Sequence, residues 1–176
     1  MDQMKMTCWR GVRVMLYGVI VVVVVVLDQA TKAAVRHLLE VGESVGFVPG
    51  VLDLKLVHNT GAAFSLGEGA GPIFVLVAIA ILIAGWIFVW KQPNVPLALA
   101  VSVACVAGGG VGNMIDRLFM GYVTDFFATT FMNFPVFNVA DIFVTCGVIV
   151  SFVIYTVWES RREPAVGEAD PSHRES

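Results

Sequence analysis

The sequence predicts an all-α integral membrane protein: four transmembrane helices carrying a small extracytoplasmic β-element. Three observations point there. Of 176 residues, 57% are hydrophobic and 14% charged, and the mean hydropathy is +0.81; soluble domains are roughly 45–50% apolar and about 25% charged. Four apolar runs, about residues 12–33, 71–90, 95–117 and 136–158, have the length of roughly 20 residues that a helix needs to cross a bilayer. Between the first two lies "VLDLKLVHN", in which Leu52, Leu54 and Leu56 alternate with Asp53, Lys55 and Val57, the period-2 pattern of a half-buried strand.

Span one contains "VMLYGVIVVVVVVL" behind Lys5, Arg10 and Arg13, which is the layout of a secretory signal. No small-x-small cleavage site follows, and Asp28 and Lys32 stand where cleavage is expected, so an uncleaved anchor is the better reading. In the outer loop that follows, Gly42, Gly46, Pro49 and Gly50 supply breaks for a small sheet, with one apolar face positioned to lie against the membrane surface. Span two is "GPIFVLVAIAILIAGWIFVW".

Span three runs through "PLALAVSVACVAGGGVGNM". Its Gly108-x-x-x-Gly112 spacing suits close helix packing; no lysine follows, so it is not a phosphate loop. Span four, "FNVADIFVTCGVIVSFVIYTVW", holds Asn138 and Asp141 near its start. An aspartate at the centre of a membrane helix costs roughly 2.5–3.5 kcal/mol, and less near an end. Residues 1–160 form one membrane-embedded domain. The tail at 161–176 is polar and proline-bearing and is expected to be disordered.

Lys5, Arg10 and Arg13 precede span one, Lys91 lies between spans two and three, and Arg161 and Arg162 follow span four. The positive-inside bias therefore puts both termini in the cytoplasm. That topology carries Asp28, Lys32, Asn113, Asp116, Arg117, Asp125, Asn138 and Asp141 to the outer leaflet. A conduction path places polar residues through the whole thickness; a one-sided cluster fits a site facing one surface. Asp28 and Lys32, at i,i+4, suit a helix ion pair, and Arg117 suits a helix C-terminus or a headgroup anchor.

The net charge of −3 points to no nucleic-acid partner. Cys8, Cys105 and Cys146 form no CxxC, and His37, His58 and His173 show no metal spacing. Asp125 and Asp141 have no dedicated basic partner in the sequence. Two buried acids brought together hold one proton between them, so that one deprotonates water while the other polarises a scissile carbonyl.

"GGGVGNMIDRLFMGYVTDFF" followed by "FNVADIF", with "DQATK" at 28–32 and "NTGAAFSL" at 59–66, resembles the four sequence blocks of bacterial lipoprotein signal peptidase, the signal peptidase II family. The resemblance implies a metal- and cofactor-independent aspartic endopeptidase of the bacterial inner membrane. Such an enzyme cuts prolipoprotein signal peptides just before a diacylglyceryl-modified cysteine, among membrane lipids, and one chain suffices for the site. It maps the catalytic pair onto Asp125 and Asp141. Supporting or substrate-binding roles map onto Asn59, Asn113, Arg117, Asn138, Asp28, Lys32 and Gly108.

Three other readings use the same residues. Ser65 with Lys32 as base makes a Ser–Lys peptidase. Asp125 and Asp141 as relay groups make a proton-coupled transporter, which calls for polar residues continuing toward the cytoplasm and for inverted repeats. A non-catalytic helical bundle tolerates Asp→Asn at both positions.

Overall fold

The computed structural model describes residues 3–61, 70–92 and 94–161, with side chains from residue 9 onward. The elements, in order, are α1 (Gln3–Leu38), β1 (Ser44–Val48), β2 (Leu52–Asn59), α2 (Gly71–Lys91), α3 (Leu97–Met120), β3 (Val123–Thr129) and α4 (Val139–Ser160). All four helices are long and apolar enough to cross a membrane, as the hydropathy runs predict. Residues 162–176, which hold all but the first residue of the expected disordered tail, lie outside the described residues.

α1 is longer than the sequence suggests. Its apolar portion, Trp9–Leu38, spans 30 residues, about 45 Å at 1.5 Å per residue against a hydrocarbon core of about 30 Å. The surplus turns carry a second use: Val35 packs with Leu56 and Phe126 in a small core beneath the sheet, apart from the main helical core of Tyr17, Val89, Val95, Leu99, Ala100, Ala104 and Ala107.

The sheet is antiparallel in the order β1-β2-β3. β2 is the strand that the leucine alternation predicts, with Leu56 turned fully inward. β3 is an addition, since the segment around Asp125 reads in the sequence only as a connection. "VTDFFAT" is buried along its first four residues, so it lacks the in–out alternation that marks a half-exposed strand. Gly121, left-handed at φ 78°, ends α3 and turns the chain into this strand, a conformation that costs glycine little. A shift of register between Leu54 and Val57 sets Val57 opposite Asp125 and Asn59 opposite Val123.

α3 is the central helix, and its glycines are the reason it can be. A Cβ on Gly108 would lie 2.8 Å from Val24 of α1, and one on Gly112 would lie 2.5 Å from the Asp28 carboxylate. On another face, a Cβ on Gly109 would lie 2.5 Å from the Ala140 carbonyl of α4. Gly108 is thus a packing contact with α1 and does not line the cavity described below. Gly109→Ala is expected to cost about 1–3 kcal/mol of stability, the usual range for overpacking, because a backbone carbonyl cannot swing aside. Gly110→Ala, whose new methyl finds its nearest neighbour at 3.7 Å, serves as the near-neutral control. Thermal unfolding of both variants in detergent measures the difference.

Candidate active site

The polar residues of four separate elements meet at one end of the bundle, around a cavity of about 480 Å³. Asp125 from β3 and Asp141 from the first turn of α4 both line it, with Asn59 from the end of β2 and Asn113 and Arg117 from α3. Phe134, Pro135, Val136, Phe137, Ile142, Thr145 and Cys146 make an apolar wall. A largely apolar cavity with a few convergent polar groups has the make-up of a ligand-binding site.

Asp141 sits where it does because Asn138 starts the helix. Asn138 has an extended backbone (φ −131°) and accepts the Asp141 N–H at 3.0 Å, while the Asp141 carboxylate accepts the Asn138 N–H at 3.0 Å. This is a reciprocal capping box, and it puts the acid at the positive end of the helix dipole. Asn138 is therefore the cap outside the helix, whereas the sequence reading counts it within span four. The sequence carried the signal: asparagine with an acid three residues later, ahead of a long apolar run.

Amides connect the two carboxylates. Asn138 Nδ2 donates to Asp125 at 2.6 Å and to Asn113 Oδ1 at 3.0 Å, and Asn113 Nδ2 donates to Asp141 at 2.8 Å. Asn59 Nδ2 donates to the other oxygen of Asp125 at 2.8 Å, its own oxygen being held by the Gly61 N–H. Among the described residues no hydrogen bond runs directly between the two carboxylates; their coupling is through space and through the asparagine bridge. Burial pushes the Asp125 carboxyl up to about 6. The Asn59 hydrogen bond opposes that rise, the Asp141 charge reinforces it, and the Asn138 bond and the Lys32 charge oppose it further.

Behind this cavity is a buried ion cluster. Lys32 pairs with Asp28 at 2.8 Å and with Asp116 at 3.3 Å, all three side chains fully buried. The expected i,i+4 pair is present and has gained a third member. Lys32 also donates to Asn113 Oδ1 at 2.8 Å. Its ammonium is committed to three acceptors, which leaves it unsuited to serve as a base; Ser65, its partner in the Ser–Lys alternative, lies outside the described residues. Arg117 donates to the Gly61 carbonyl at 2.9 Å and stands over the Phe74 ring at 4.8 Å, tying the end of β2 to the start of α2 rather than reaching out as a headgroup anchor. Among the described residues no three His, Cys, Asp or Glu side chains gather as a metal site requires.

Residues 20–157 match a family model described as Signal peptidase (SPase) II. The chain belongs to the signal peptidase II family. It is 40% identical over 134 residues to a lipoprotein signal peptidase of Lactiplantibacillus plantarum, covering 76% of this chain and 89% of that protein. It is 34% identical over 167 residues to the one from Anoxybacillus flavithermus, covering 94% and 98%. Among solved structures, a bacterial membrane enzyme determined by the in meso method superposes with a TM-score of 0.75 at 33% identity, over 85% of this chain and 92% of that one. Signal peptidase II is an aspartic peptidase family, and the two acids on one cavity suit that chemistry.

Proposed function

We propose that the chain removes signal peptides from prolipoproteins, hydrolysing the bond just before a diacylglyceryl-modified cysteine, with Asp125 and Asp141 as the catalytic pair. The observation that carries this is the cavity itself: two acids from different elements, one of them raised to about 6, against an apolar wall fit for a signal peptide. One carboxylate takes a proton from water as the water oxygen attacks the scissile carbonyl. The other, protonated, donates to that carbonyl oxygen, and the proton then passes to the leaving amine. Asn59, Asn113 and Asn138 hold the acids apart and oriented, and Arg117 keeps the end of β2 against the cavity.

The basic residues flanking the spans support a chain with both termini in the cytoplasm and the cavity at the outer leaflet of the inner membrane. The same reading has a single domain acting as a monomer, with both acids and the asparagines that orient them supplied by this chain. Val45, Phe47, Val48, Val51, Phe131 and Met132 are exposed on and beside the sheet, where the Thr130 N–H donates to the Val51 carbonyl and brings those two segments together. These side chains suit contact with outer-leaflet lipid.

The test is cleavage of a purified diacylglyceryl-modified precursor by the purified chain in detergent or vesicles, against the same precursor without the lipid. Processing of the lipidated form alone supports the reading, and no processing of either form ends it. The pH profile checks the proton's place. Asp125 binds its proton up to about pH 6 and loses it above, so kcat/KM should fall along an alkaline limb near 6 as the singly protonated pair disappears. Bound substrate removes more water from the cavity, so the limb in kcat should lie at higher pH. The stability contributed by that proton has the same sign: it is fully present below about 4, the unfolded value, and is lost as pH rises through about 6.

A further inference from the structure

The Asp28–Lys32–Asp116 cluster lines no part of the cavity, yet apart from Gln29 of α1 its outward contacts end beside the catalytic acids. Two carboxylates face one ammonium, so the cluster has more acceptors than the lysine can serve. A buried carboxylate oxygen without a donor is costly, and the fold must supply N–H groups from elsewhere. Asp28 Oδ1 accepts the backbone N–H of Ala140, the residue before Asp141, at 3.0 Å. Asp116 Oδ2 accepts the backbone N–H of Thr124, the residue before Asp125, at 2.9 Å. The remaining Asp116 oxygen accepts from Gln29 at 2.9 Å.

We propose that Asp116 is a positioning residue for the reaction: together with Asp28 it fixes the separation of Asp125 and Asp141, by holding the peptide N–H that immediately precedes each of them. β3 and the start of α4 are separate elements, and the cluster is a common anchor to both. Lys32 holds the two anchoring carboxylates in one place. Through its bond to Asn113 Oδ1 it also fixes which end of that amide faces Asp141. Carboxylates that must act on one water and one carbonyl tolerate little misplacement: a shift of about 1 Å costs on the order of a hundredfold in rate.

This rests on the reading of the cavity as a peptidase site, and the experiment separates the two. Asp116→Glu keeps the charge but lengthens the arm toward Thr124; Asp116→Asn keeps the length but removes the charge. Both are assayed as full-length protein on the lipidated precursor, and their affinity for a hydroxyethylene transition-state analogue peptide is measured alongside. The expected result for Asp116→Glu is a kcat reduced about 10–100-fold with KM within about threefold, and analogue affinity reduced in parallel. Asp116→Asn should show the same split, more weakly. A purely structural role lowers the amount of folded enzyme and leaves kcat and analogue affinity per active site unchanged, which overturns the proposal. Wild-type kcat in Asp116→Glu overturns it as well, and if that variant does not fold, wild-type kcat in Asp116→Asn does so. Should the wild-type chain itself fail to cleave the precursor, the peptidase reading fails first.

Discussion

Asp125→Asn and Asp141→Asn should each reduce cleavage of a lipidated precursor by at least about a thousandfold, with the protein still inserted and monodisperse in detergent. Each carboxylate in an acid–base pair has a proton-transfer role that an amide cannot take, and such roles carry roughly 10²–10⁴ in rate. The pair acts as a unit, so the double variant should be little worse than either single one. Asp125→Asn carries an extra penalty. Both Asp125 oxygens accept amide N–H groups, and an asparagine there turns one donor against another. The protein should tolerate this, because the helices that hold it in the membrane do not depend on Asp125. Full turnover by either single variant would rule out the pair, and with it the distinction from a non-catalytic bundle.

The second large effect is expected at Asn138, which makes contacts of two kinds. Its oxygen caps α4 through the Asp141 N–H, and its nitrogen reaches Asp125 and Asn113. Asn138→Ser keeps a good capping oxygen and loses the bridge between the acids. The expected outcome is a fall in kcat of about a hundredfold with a stability loss of about 1 kcal/mol, the low end for a carboxylate oxygen that loses its donor beside an open cavity. Asn138→Ala loses the cap as well, which adds about 0.5–2 kcal/mol of destabilisation to the same kinetic loss. Measuring kcat and the unfolding midpoint together separates the two functions. Equal loss of stability and activity in the serine variant would mean that the bridge contributes nothing of its own.

Much of this molecule was legible before any coordinates. The four helices follow from apolar runs long enough to cross a bilayer, because a helix satisfies its backbone polar groups within one segment in hydrocarbon. β2 follows from the alternation of Leu52, Leu54 and Leu56. The triple glycine reads as helix packing, and α3 uses it against both α1 and α4. The transporter alternative loses ground at the same level, since the charged side chains at membrane depth gather at one end of the bundle.

β3 was not legible, because a strand buried on both faces leaves no period in its sequence. Nor was the role of Asp116. In the sequence it shares a helical neighbourhood with Asn113 and Arg117, but those two face the cavity while Asp116 turns toward α1 and takes the N–H of Thr124. The direction of a side chain on a helix surrounded by other helices depends on which neighbour arrives at which face, and no local spacing encodes that.

The sequence by itself determined the membrane class, the spans and the identity of two acids without basic partners, since these depend on local hydrophobicity and on which residues are present. The tertiary structure alone decided that Asp125 and Asp141 open onto one cavity, that amides bridge them, and that a buried ion cluster holds the backbone beside each. The physical reason is that burial strips these groups of water, so each polar atom must find its partner on whichever segment packs against it, and in this fold several of those partners, Ala140 for Asp28 and Asn59 for Asp125 among them, are far away along the chain.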